Sequence, residues 1–299
     1  MPVILLVSAS GSPGVTATGI GLCMGWPGGA LLVDANQHPT QAVLAGYLHG
    51  IHTSPTGLQG LTQAAREGRA LAPLLPTTTM PLTTDGRCQF LPGFTNPGAA
   101  TVFAPLWPRL AQALVERSRD GVPIMVDIGR IGADGPLPGL IGSADVVLVV
   151  TRAHLPALAG LRIHLPILQE VAQRAQSTAL VGLLVIGPGR SYSIDDIEKM
   201  FGLSAWISLP YDPEAAAVLA EGAAPPRNFP DSHPYVQALR EAVTVITNRI
   251  QQRQLRIEGR HEPAAARYSP VPRAGPAVGY GPAGRRHVGR CDAGRAAGA

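Results

Sequence analysis

The chain has 299 residues and a mass of 31.1 kDa, enough for one large α/β domain or two small ones. Apolar residues make up 45% and charged residues only 15%, while 35 glycines and 29 prolines imply many turns. The net charge of +4 is unevenly placed: residues 260–299 hold seven arginines against Glu262 and Asp292, so residues 1–259 carry about −1. Net charge therefore gives no argument for nucleic-acid binding.

Cys23, Cys88 and Cys291 are odd in number and widely spaced, without a CxxC pair. That argues against a disulfide framework or a zinc site and suits a reducing compartment. No stretch approaches the roughly 18 apolar residues of a membrane span. The first residues, Met-Pro-Val-Ile-Leu-Leu-Val-Ser, lack a positive leader segment and read as a buried strand. The expectation is a cytoplasmic protein.

In chain order, short apolar runs at Val3–Ser8, Ala30–Asp34, Gln89–Leu91, Pro123–Asp127, Val146–Thr151, Leu180–Ile186 and Ala205–Leu209 read as strands. Several are apolar on both faces, the pattern of parallel strands covered by helices on each side. Amphipathic stretches near 16–25, 40–48, 57–69, 100–118, 154–175, 193–201 and 213–221 read as helices. The alternation predicts an α/β fold: a doubly wound, mostly parallel sheet with helices on both faces. A last helix is predicted over Tyr235–Arg256, with Val236, Leu239, Val243, Ile246 and Ile250 on one face. Residues 259–299 lose all periodicity, so the expected organisation is a domain over 1–258 and a disordered Gly/Pro/Ala/Arg-rich basic tail over 259–299.

The connection after the first strand, Ala-Ser-Gly-Ser-Pro-Gly-Val-Thr-Ala-Thr over 9–18, is rich in small residues and opens a helix. Glycines there let backbone N–H groups face an anion, and the helix N-terminus adds its dipole. Such a loop also serves packing alone. Thr16, Asp34 and Asp127 fall at the helix start and at two strand ends. They read either as oxygen ligands for Mg²⁺ or as a helix cap and two acceptors of backbone N–H groups. Arg130, Arg152 and Arg190 lie just past predicted strand ends, where open α/β sheets bind ligands. They read equally as anion contacts or as surface ion pairs, such as Arg130 with Asp134. His52, His154, His164 and His233 show no metal-ligand spacing with carboxylates.

The order of motifs resembles the ParA/MinD family of deviant Walker-A P-loop ATPases over about residues 1–250. The carriers are Ser10-Gly11-Ser12-Pro13-Gly14-Val15-Thr16-Ala17 in the loop and Asp34-Ala35-Asn36 after the second strand. They continue with Val126-Asp127-Ile128-Gly129, Ala144-Asp145 before Val146–Thr151, and Leu209-Pro210-Tyr211-Asp212-Pro213. The segments Gly11–Thr16, Trp26–Pro27, Gly129–Arg130, Val150–Arg152 and Gly187–Arg190 further resemble a MinD-like subgroup of high-GC bacteria, associated with Tad/Flp-type pilus or secretion gene clusters. The resemblance implies ATP or ADP bound with Mg²⁺. The nucleotide would meet Gly11, Ser12, Pro13, Gly14, Val15, Thr16, Ala17, Pro210 and Asp212, and the metal would meet Thr16, Asp34 and Asp127. Arg130, Arg152 and Arg190, from their place at the strand edge, are assigned to the same nucleotide and are expected to dominate the hold on its phosphates.

Three departures make the resemblance a degenerate one. The family's two loop lysines are Ser10 and Val15 here, and the only lysine of the chain is the distant Lys199. The second carboxylate of the family's Asp-x-Asp pair is Asn36, which cannot accept a proton from water. No residue is therefore assigned a catalytic role. The expectation is a pseudo-ATPase acting as a positioning or regulatory factor. A slow or partner-activated ATPase and a dimerisation module without nucleotide are the alternatives. The partners implied are a second copy of the chain or a protein of a membrane-associated machine. No specific nucleic acid is expected, and membrane contact through the last helix or the tail is at most peripheral.

Overall fold

The first strand, β1 (Val3–Ser8), is buried at every position, as expected of a strand covered on both faces. The computed structural model describes residues 1–9, 14–50, 56–132, 136–189, 191–229 and 231–258. After β1 come α1 (Val15–Gly25), β2 (Leu31–Asp34), a π-helical turn (Ala42–Tyr47), α2 (Gly57–Arg66), α3 (Leu75–Thr78), β3 (Met80–Pro81) and β4 (Gln89–Leu91). The next elements are α4 (Pro97–Phe103), α5 (Trp107–Arg119), β5 (Ile124–Arg130), α6 (Pro136–Leu140), β6 (Val146–Arg152) and α7 (Leu155–Arg174). The described chain ends with β7 (Leu180–Ile186), α8 (Ile194–Phe201), β8 (Ala205–Leu209), α9 (Pro213–Ala220) and α10 (Pro234–Glu258). Met1–Ile257 forms one compact unit. The second unit, which holds the expected tail, lies outside the described residues except for Glu258.

Among the described residues one sheet of eight strands has the order β3-β4-β2-β5-β1-β6-β7-β8. All neighbours are parallel except β3 against β4. The fold is the doubly wound α/β sheet that the strand pattern predicts. Alternate residues of β1 serve opposite faces. Leu5 and Val7 join a core with Leu110 and Leu114 of α5 and Leu161 and Leu168 of α7. Ile4 and Leu6 join a second core with Ile20 of α1 and Leu239, Val243 and Ile246 of α10. The apolar stripe of α10 is thus committed to packing. Gly21 makes this contact close: a Cβ there would stand 2.4 Å from Leu239 Cδ1.

Several elements differ from the sequence reading, among them the short helices α3 and α6, which have no counterpart in it. The helix expected over 100–118 is two helices, because Pro105 and Pro108 cannot donate into a continuous ladder and instead sit in first turns. The stretch 40–48 is a π-helical turn, entered through Gln41 at φ 54°. β3 is unpredicted: it has two residues, one of them Pro81, and it lies at the sheet edge, where proline is tolerated.

Candidate functional site

The site begins with strand register. β5 pairs with both β1 and β2, and its pairing with β2 sets Asp34 opposite Asp127. The register with β1 shifts after Asp127, so that Gly129 faces Val7 and Arg130 faces Ser8. Such a bulge re-aims side chains near sites. Gly129 adopts φ 73°, and a Cβ there would stand 2.7 Å from the Asn36 side chain, so only glycine fits.

Gly14 precedes α1 at φ 98°, a left-handed conformation that glycine adopts without strain. Among the described residues no side chain caps α1, and the Thr16 hydroxyl instead donates to Asp127 Oδ2 at 2.6 Å. The backbone N–H of Gly129 donates to the other oxygen, Asp127 Oδ1, at 2.9 Å. Burial raises the Asp127 carboxyl above its usual range, opposed by those two hydrogen bonds. Burial, and then the neighbouring Asp127 charge, push Asp34 up to about 7, although Asn36 N–H donates to Asp34 Oδ1 at 3.1 Å. Asn36 Oδ1 in turn accepts from His38 N–H at 2.9 Å, an Asx turn that gives the amide a structural task.

A cavity of about 700 Å³ opens above these groups, within the size range of small-molecule and cofactor sites. Gly14, Val15, Thr16 and Ala17 of the loop and α1 line it together with Asp127, Arg130 and Arg152. Val15 also belongs to the core and is 6% exposed. A wall that the sequence reading missed comes from α9, through Pro213, Ala216, Ala217 and Ala220, with Glu221 beside it. Its only signal is the small-residue spacing at 216, 217 and 220, which reads equally well as ordinary packing. His38, Thr40 and Ala42 complete another wall.

Other expected residues are placed differently. Asp34 lies beside Asp127 in the sheet but does not line the cavity. Pro210 is exposed and also outside the lining. Asp212 caps α9 by accepting from Ala215 N–H at 2.9 Å, and His233 Nε2 stands 3.7 Å from its Oδ2. His154 caps α7. Gly11, Ser12, Pro13 and Arg190 lie outside the described residues, as do Ser10, His52 and Asp134.

The donors Thr16, Asp34 and Asp127 are all oxygen, the ligand class that suits Mg²⁺. Among the described residues no group of three or more His, Cys, Asp or Glu could hold a metal ion alone. Thr16 and Asp127, the two of these that line the cavity, fit an ion that brings further oxygens with its ligand, as Mg²⁺ does on phosphates.

No family model and no curated protein matches the chain. Its fold is similar to that of a ParA family ATPase from Chlorobium tepidum TLS, with a TM-score of 0.65 and 17% identity over 81% of this chain and 97% of that one. The MinC:MinD cell division protein complex of Aquifex aeolicus gives a TM-score of 0.59 at 15% identity, covering 83% and 96%. The ATP complex of a Cyanothece McdA variant gives 0.57 at 17%, covering 82% and 96%. The eight-stranded sheet and its helices thus have the ParA/MinD type of P-loop fold.

Proposed function

We propose that this chain is a degenerate ParA/MinD-type protein that binds ATP or ADP with Mg²⁺ and hydrolyses it little or not at all. The observation that carries the binding half is the 2.6 Å hydrogen bond from Thr16 to the buried Asp127 at the floor of the cavity. That pair puts a hydroxyl and a carboxylate where the head of α1 meets the end of β5, a suitable place for a phosphate-bound ion. ATP is present in the McdA complex of the same fold.

The other half rests on what the cavity lacks. Phosphoryl transfer is driven by positioning and by positive charge on the transferring group. Val15 stands where the resembling family has a loop lysine, and its side chain is in the core. Removing one preorganised donor costs about 3 kcal/mol, roughly a hundredfold in rate. Asn36 is tied into its turn by His38 N–H and has no proton-accepting carboxylate.

In this reading the protein works as a nucleotide-dependent positioning or regulatory factor in the cytoplasm, as a homodimer or on a protein of a membrane-associated machine. The MinC:MinD complex is the precedent for a protein partner on this fold. The segments shared with the MinD-like subgroup favour a Tad/Flp-type pilus or secretion system. Calorimetric titration of the full chain with ATP and ADP, with and without Mg²⁺, tests the binding. Phosphate release in the same samples tests turnover. Saturable binding without release is expected; no heat from either nucleotide would leave only a nucleotide-free module.

A further inference from the structure

The chain's single lysine, Lys199, lies in α8, so any charge offered to a ligand comes from arginine. The sheet places two arginines around the loop. β5 and β6 are the two neighbours of β1. Ser8, the last residue of β1, pairs with Arg130 on one side and with Val150, two residues before Arg152, on the other. β1 therefore ends between two strands, each of which finishes in arginine. Both arginines line the cavity with Gly14–Ala17.

Arg152 carries the stronger indication. Its guanidinium carbon lies 5.8 Å from the ring centroid of Tyr211, a contact that restrains the planar head. Its Nε is buried and has no hydrogen-bond partner, and a buried donor without an acceptor is unfavourable. Among the described residues neither Arg152 nor Arg130 forms an ion pair. With Nε buried, the Nη1–Nη2 edge is the one left to grip an oxoanion with paired N–H groups.

We propose that Arg130 and Arg152 form a two-armed clamp on the phosphate chain of the bound nucleotide, in place of the absent loop lysines. The inference rests on the nucleotide reading and deepens it. Arg152, restrained on Tyr211, is the preorganised arm. Arg130 is exposed and loses more side-chain freedom on gripping, so its contribution is smaller. Asp127 and Glu221 also line the cavity, so the anion is held by short charge-assisted hydrogen bonds and not by a general positive field.

Pyrophosphate, which has no base or sugar, reads the clamp by itself. Titrations of the full chain with Mg²⁺-pyrophosphate and Mg²⁺-ATP should show affinity reduced about tenfold or more in Arg152→Gln and severalfold in Arg130→Gln. Arg152→Lys should recover only part of the loss, because an ammonium cannot present the planar paired N–H groups of a guanidinium. Ligand-free melting of each variant checks folding. If Arg152→Gln does not fold, Arg130→Gln and Arg152→Lys still decide. Equal ATP affinity in wild type and folded variants overturns the clamp and leaves nucleotide binding standing. Pyrophosphate binding without ATP binding, weakened in the variants, keeps the clamp and removes the nucleotide reading. Binding of neither by wild type removes both.

Discussion

The two sides of the cavity differ in how they are built. On one side, Thr16 and Asp127 are locked to each other and to Gly129 N–H, with Asp34 behind them in the sheet. On the other, Arg130 and Arg152 have no carboxylate partner among the described residues, and Arg152 keeps an orphaned donor. The oxygen side is internally satisfied; the cationic side carries charge that no carboxylate among the described residues pairs. The hydroxyl–carboxylate pair is also a structural contact at the head of α1, so its formation does not depend on charge in the loop.

The two sides can be separated experimentally. Thr16→Ala should weaken Mg²⁺-ATP binding by about tenfold or more, the scale of one hydrogen bond to a charged group. It should leave binding in EDTA unchanged, whereas Arg152→Gln weakens both. Titrations with and without the metal check this, and equal losses for Thr16→Ala under the two conditions would merge the two sides into one.

A second effect is on the pH dependence of stability. Asp34 holds its proton up to about pH 7 in the folded chain, against an ordinary value of 3.8. Its contribution is fully present below about pH 4, is lost as pH rises towards 7, and is flat above that. Asp34→Asn should therefore stabilise the chain at pH 8, by on the order of a few kcal/mol, with the gain shrinking steadily towards pH 4. Denaturant unfolding at several pH values measures it. A gain independent of pH would mean that Asp34 is not held protonated by its place beside Asp127.

Much of this arrangement was legible in the sequence, for identifiable reasons. β1, β4, β7 and β8 start and stop where their apolar runs do. Thr16, Asp127, Arg130 and Arg152 stand out in the sequence at the ends of elements, where open α/β sheets gather ligands, and the structure brings all four to one cavity. What the sequence hid depends on register and packing. The bulge after Asp127 that aligns Arg130 with Ser8 has no local signature. The alanine wall of α9 looks like any small-residue helix. The π-helical turn beside Thr40 reads as an ordinary helix, since the same apolar residues fill both periods. The pairing of His233 with Asp212 joins residues too far apart in the chain for any spacing rule.

A smaller effect is expected from the chain end. Removing residues 259–299 should leave the melting temperature nearly unchanged, because that segment has no apolar periodicity with which to build a core. A fall of many degrees in a thermal melt would show that it docks. A change in nucleotide affinity on removal would bring its arginines into the account of the cationic side.

The central claim is that the cavity binds a nucleotide through an intact metal side and an arginine side, without the charge needed to turn it over. The most direct measurement is titration of the purified full chain with Mg²⁺-ATP, followed by assay of phosphate in the same cell. One-to-one saturable binding with no phosphate above the buffer blank is the predicted result. Steady phosphate release by the chain alone, or a titration without heat of binding, would contradict it.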